Sequence, residues 1–162
     1  ILQPNKLHLA VEFFEWIHLF DRATLLKPMA EACEWHPDKK PKVLIEVNPV
    51  GHIKKHGASM DEVALLCEEL IKIPTLEVAG LSCRSELMMN LSISAKAYEQ
   101  TSQLHQQLLK KGILPPTAST LAIGTSRDIE KAVECGTTML RIGSALFGKT
   151  APSKSLQRVD EF

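Results

Sequence analysis

Two groups of glycine and hydroxyl residues carry the clearest chemistry in this chain: Gly124, Thr125 and Ser126 in one, and Gly143 with Ser144 in the other, with Arg141 just ahead of the second. Each group follows a short apolar run, Ser119 to Ile123 and Met139 to Ile142, that reads as a buried strand. Ser126 is expected to open a helix with Ile129, Ala132 and Val133 on one face, and Gly136 to stop it. Two strand ends placed together leave backbone N–H groups without ladder partners, and such groups suit an anion, above all phosphate. Glycines also end strands and helices in any α/β protein, so spacing alone leaves both readings open.

Other residues invite sharper chemistry and are read more plainly. Gly143 to Thr150, GSALFGKT, fits the nucleotide-binding pattern G-x-x-x-x-G-K-[ST], but that motif needs a helix after Lys149, and Ala151-Pro152 follow at once. Nucleotide binding is therefore the minor alternative. His52 and His56 stand four apart between Gly51 and Gly57, yet Lys54 and Lys55 beside them would repel a metal ion. They read as a solvated basic loop at the rim of the cup, and no metal site is expected. His18 is read as locally hydrogen-bonded and Cys83 as an inert thiol, while Asn48, at a strand end, is read equally as a structural or a site residue.

The elements that must position these groups follow from the apolar pattern. Trp16 to Phe20, Val43 to Val47 and Leu76 to Leu81 read as three further strands, making five with the two above. Helices are expected from about Asn5 to Glu15, from Arg22 to Trp35 after a cap at Asp21 and with a kink at Pro28, and from Leu91 to Lys111. Ser59 and Glu62 form a capping-box pattern ahead of Val63, Leu66, Cys67, Leu70 and Ile71. Nearly continuous apolar strands separated by helices indicate an α/β fold with a parallel sheet covered on both faces. In parallel barrels the loops after the last two strands commonly hold phosphate, which is where the two glycine groups fall. Five strands are too few to close a barrel of eight.

Composition narrows the ligand class. The chain has 162 residues, 44% of them hydrophobic, with nineteen basic and nineteen acidic side chains. One domain over residues 1–150 is expected, followed by a polar, mobile tail at 151–162. Balanced charge gives no case for nucleic acid or a membrane surface, and no apolar run approaches the roughly eighteen residues of a membrane span. Cys33, Cys67, Cys83 and Cys135 form no CxxC pair, so free thiols in a reducing cytoplasm and a small-molecule partner are expected. Ile1 in place of methionine suggests a cut chain.

The segments ILQPNK, EFFEWIHLFDR, VLIEVN followed by KHG, AGLS, and LAIGTSRDIEKAVECGTTMLRIGSALFG resemble, in order and spacing, the pyridoxal phosphate homeostasis proteins of the YggS/PROSC type. The resemblance covers nearly the whole chain apart from the tail. It implies a (β/α) barrel of the alanine-racemase type, represented here by about its last five strands and their helices. It also implies pyridoxal 5'-phosphate as cofactor and a role in buffering or delivering it, with no established catalysis. A racemase-like enzyme completed by a preceding segment is the alternative. By similarity, Gly124, Thr125 and Ser126 sit at the cofactor phosphate, Gly143 and Ser144 form the second half of that cup, and Arg141 faces the pyridine nitrogen.

Departures from the family pattern qualify this. ILQPNK corresponds to the end of the family's third strand, so the cofactor lysine of the first strand has no match here. Ala122 stands where serine is usual, Thr125 where methionine is usual, and Ser82, Cys83, Arg84 and Ser85 replace the family's Met-x-Ile-Pro. Weak or absent cofactor binding is expected. So is self-association, or complementation by an N-terminal segment, because an incomplete barrel leaves sheet edges open.

Overall fold

The computed structural model describes residues 2–51, 56–84 and 91–148. A 3-10 turn at Pro4–Lys6 leads into α1 (Leu7–Phe13), then β1 (Trp16–Phe20) and α2 (Leu26–Trp35). These are followed by β2 (Lys42–Glu46), α3 (Met60–Ile71), β3 (Glu77–Cys83), α4 (Leu91–Lys110), β4 (Thr120–Ile123), α5 (Ile129–Glu134) and the single turn α6 (Ser144–Phe147). The strands form one sheet in the order β1-β2-β3-β4, every neighbouring pair parallel.

Alternation along the strands divides the buried residues between two faces. Ile17, Phe20, Val43, Ile45, Val78, Leu81, Leu121 and Ile123 join the large core shared with the helices. Leu44, Ala79 and Ala122 make a second, smaller cluster on the other face with Trp16 and Met139. Glu46 and Ser82 also lie on that second face, toward the carboxyl ends of the strands. The register slips between Val43 and Leu44, so that β3 carries one extra residue next to Gly80. Gly80 has φ +145°, and a Cβ there would lie 1.8 Å from the Thr120 carbonyl oxygen, so only glycine fits between β3 and β4.

The expected capping box is present: Ser59 Oγ accepts from the Glu62 N–H, and the Glu62 carboxylate accepts from the Ser59 N–H. Asp21 does not cap a helix. Its carboxylate pairs with Arg22 and lies 3.6 Å from His56 Nδ1. Pro28 falls in the first turn of α2, where a missing N–H costs no intrahelical bond.

Met139–Ile142, expected as a fifth strand, lies beside β4 but outside the four-stranded ladder. The reason is local. Thr138 Oγ1 accepts from the Leu121 N–H at 2.8 Å and Thr137 Oγ1 from the Ile123 N–H at 3.4 Å, so threonine hydroxyls take the donors that a fifth strand would have used. Ser126 does not start the next helix, which begins at Ile129, and Val133 is exposed rather than on the buried face.

No disulfide joins the four cysteines; burial pushes the Cys33 thiol up and the Cys67 thiol up to about 12, consistent with inert packing groups. Among the described residues no helix is long and apolar enough to cross a membrane. The expected tail at 151–162, and His52, Lys54 and Lys55 of the basic loop, lie outside the described residues.

His105 on α4 adds a pH dependence. Its Nε2–H donates to the Ala118 carbonyl at 2.7 Å, and burial holds its pKa below the ordinary value, against the opposing effect of that bond. The unfolded chain then takes up the proton first, so stability is full above about pH 6.5 and falls as pH drops toward the folded value. Urea midpoints measured at about pH 7 and about pH 5 should show this loss, and His105→Gln should reduce it.

Candidate functional site

The loop after β4 is built around a buried carboxylate. Gly124 takes φ +91°, which turns the chain back so closely that a Cβ there would lie 2.4 Å from Ala132 Cβ of α5. Asp128, only 5% exposed, accepts from the Thr125 N–H at 2.7 Å and from Thr125 Oγ1 at 3.1 Å through Oδ1. Its Oδ2 accepts from the Tyr98 hydroxyl at 2.8 Å, which ties the loop to α4. The carboxylate makes no cap bond to α5 and instead fixes the turn in front of it.

The two glycine groups do meet. Ser126 Oγ accepts from the Gly143 N–H at 2.9 Å, joining the loop after β4 to the segment that leads into α6. This contact changes which groups are on offer to an anion. The N–H groups of Thr125 and Gly143 are already spent on Asp128 and Ser126. The remaining donors include the hydroxyls of Ser126 and Ser144, the N–H groups of Ser126 and Arg127 in the turn, and those of Ser144 and Ala145, which precede the first bonds of α6, from Leu146 and Phe147 to the Gly143 carbonyl. A cleft of about 750 Å³ opens beside Ser126, bordered by Ser92, Ser94, Arg127 and Lys131.

Arg141 lies across the carboxyl ends of the sheet. Its Nη2 donates to the Cys83 carbonyl of β3 at 2.7 Å and reaches the Ala122 carbonyl of β4 at 3.5 Å. Its Nε is buried and has no hydrogen-bond partner among the described residues. A buried guanidinium N–H without an acceptor is uncommon and marks a position suited to a ligand acceptor.

A second polar group, not singled out by the sequence, occupies the same end of the sheet. Glu46 is 2% exposed; Ser82 Oγ donates to its Oε2 at 2.6 Å and Arg84 Nε to its Oε1 at 2.8 Å. Ser82 Oγ also lies 2.9 Å from the His18 carbonyl oxygen. Burial, and then the Arg141 charge, lower the His18 pKa, with Glu46 opposing them, so His18 is neutral near neutral pH. The available signal was Glu46 itself, the single acidic residue inside an otherwise apolar strand. Its parity with His18 and Ser82 could not be read because of the slipped register in β3.

The other expected candidates fall elsewhere. His56 is held near Asp21, beyond β1. Asn48 packs against Gly57, whose φ of +125° brings its Cβ position within 2.8 Å of Asn48 Cβ. The nucleotide motif is not an open cradle, since Ser144–Phe147 within it are helical; Lys149 and Thr150 lie outside the described residues.

No family model matches the chain. It is 34% identical over 156 residues to the pyridoxal phosphate homeostasis protein of Vibrio cholerae, a match covering 95% of this chain and 64% of that protein. The chain thus spans just under two thirds of the relative's length. Among solved structures it resembles PipY of Synechococcus elongatus with pyridoxal phosphate bound, with TM-score 0.78 and 25% identity, over 91% of this chain and 68% of that one. Alanine racemase of Clostridium difficile, at 12% identity and TM-score 0.71 over 94% of this chain and 39% of that one, shares the fold alone. The chain is therefore similar to the pyridoxal phosphate homeostasis proteins over most of its length, and its parallel α/β sheet corresponds to part of an alanine-racemase-type barrel.

Proposed function

We propose that this chain carries the phosphate-gripping part of a pyridoxal 5'-phosphate site and serves cofactor homeostasis in the cytoplasm, as a carrier rather than as an enzyme. The observation that carries the reading is the Ser126–Gly143 bond, which joins the loop after β4 to the segment that carries Arg141. The residues present fit the cofactor. Ser126, Gly143, Ser144 and the adjoining Gly124–Thr125 turn would hold its phosphate, and the orphaned Arg141 Nε is suited to an acceptor nitrogen of the ring. When bound, the cofactor's ring acts as an electron sink if its nitrogen is protonated. A guanidinium stays charged and disfavours that protonation, which suits storage better than turnover. The barrel portion is taken to run over residues 1–150. Its outer strand β1 leaves an edge for a complementing segment or a second copy, whereas the outer edge of β4 is taken up by residues 137–139.

The phosphate groups alone bind weakly. A helix start contributes about 0.3 to 1 kcal/mol to a nearby anion, whereas millimolar affinity already needs about 4 kcal/mol. Thermal shifts with millimolar pyridoxal phosphate should be small, should shrink further in Arg141→Glu and Gly143→Glu, and should be unaffected in His56→Ala. Equal losses in all three would reject the cup. Lys42, the lysine that lies within a described strand, sits at the start of β2 with its Nζ 5.2 Å from the Trp16 ring centroid, away from the cup. Borohydride reduction in the presence of the cofactor should accordingly label no single lysine stoichiometrically, as read by peptide mass spectrometry.

A further inference from the structure

We propose that Arg84 is a carboxylate-binding residue at the mouth of the site, held in place by Glu46, so that the preferred ligand is a phosphopyridoxyl–amino acid conjugate rather than the cofactor alone. This rests on the phosphate-cup reading above and extends it to the other end of the ligand. Arg84 follows the last residue of β3, and its side chain is 43% exposed. One edge of its guanidinium is committed, because Nε donates to the buried Glu46 carboxylate at 2.8 Å. Its two Nη groups have no partner among the described residues. A guanidinium pinned through Nε presents its Nη pair as a fork of fixed direction, the arrangement that recognises a planar carboxylate.

Charge and placement support an anionic ligand. Both arginines lie at the end of β3, where Arg141 donates to the carbonyl of Cys83, the residue before Arg84. Among the described residues Glu46 is the one carboxylate that bonds to either of them, and the neighbouring His18 is neutral. Among the described residues these two guanidinium charges thus face a single bonded carboxylate. The Glu46 oxygens are both engaged, by Ser82 and by Arg84, so the carboxylate positions Arg84 instead of competing for the ligand. From the turn after β4 to the Glu46–Arg84 pair is one strand spacing to Arg84 at the end of β3 and two to Glu46 on β2, roughly 5 to 10 Å. A ligand with phosphate at one end and carboxylate at the other spans that interval, whereas the cofactor by itself carries no carboxylate for the fork.

The test compares two probes on the full chain by NMR titration: pyridoxamine 5'-phosphate, which has no carboxylate, and N-(5'-phosphopyridoxyl)-L-alanine, which has one. The second should bind about tenfold more tightly, as one charge-assisted hydrogen-bonded pair allows. In the double variant Glu46→Gln, Arg84→Met, which leaves no orphaned buried carboxylate, the two probes should bind alike, with pyridoxamine 5'-phosphate affinity unchanged. Equal affinities in the unmodified chain, or a preference that survives in the double variant, would overturn the carboxylate role while leaving the phosphate cup standing. Failure of both probes to bind would overturn the cup and this proposal with it.

Discussion

Gly80→Ala is expected to be the most damaging single substitution in the sheet, lowering the urea midpoint so far that much of the chain is unfolded without denaturant. The Cβ would stand 1.8 Å from the Thr120 carbonyl oxygen and 2.8 Å from its carbon, both backbone atoms that cannot swing aside as a side chain would. Relief requires β3 and β4 to separate, and Gly80 pairs with Thr120 at the first rung of their ladder. Overpacking costs about 1 to 3 kcal/mol, and a non-glycine residue at this φ adds about 1 to 3 more. Against a total stability of about 5 to 15 kcal/mol this is a large share. Gly112→Ala is the control: its φ is +71°, but nothing lies within 4 Å of its Cβ position, so only the backbone component applies. If the two variants had similar midpoints, the close approach at Thr120 would not be limiting.

Asp128→Ala should rank second, and it should damage the loop after β4 as well as the fold. The substitution leaves the buried Tyr98 hydroxyl and the Thr125 N–H without their acceptor. Each orphaned donor costs about 1 to 3 kcal/mol. Asp128→Asn keeps an acceptor for Thr125 and a side-chain amide that Tyr98 can meet, so it should be much milder. The check is a pair of readouts: the urea midpoint, and the cofactor-dependent thermal shift. Asp128→Ala should reduce both, and Tyr98→Phe should lower the midpoint by a smaller step. A variant that lost stability but kept the full thermal shift would show that the carboxylate serves packing alone.

The parallel α/β architecture was legible in the sequence because four apolar runs and their capping signals agree, most clearly at Ser59 and Glu62. The pairing of the two glycine groups was legible too, as an expectation from barrel geometry that the Ser126–Gly143 bond bears out. What stayed hidden depends on contacts between residues far apart in the chain. Met139–Ile142 has the composition of a strand, but whether it joins the ladder depended on the hydroxyls of Thr137 and Thr138 reaching β4 first. Ser126 was expected to open α5, and nothing local indicates that Tyr98, thirty residues earlier, would fix the Asp128 carboxylate and the turn ahead of that helix. Glu46 and Arg84 were missed because their partnership crosses from β2 to β3 through a slipped register.

The threonine hydroxyls at the edge of β4 have one more consequence, for the order in which parts of the molecule open. The turn at Gly124–Asp128 is anchored to α4 through Tyr98, whereas the segment carrying Arg141 and Gly143 is attached to β4 chiefly by Thr137 and Thr138, by two N–H groups donating to the Leu121 carbonyl, and by Arg141 itself. The two halves of the cup therefore belong to regions of different local stability. Amides in 139–144, and with them Leu121 and Ile123, whose N–H groups donate to Thr138 and Thr137, should exchange with solvent much faster than those of the β3–β4 ladder. A ligand that bridges both halves would then slow exchange mainly in the second, because binding energy is drawn on to hold closed the part that opens most easily.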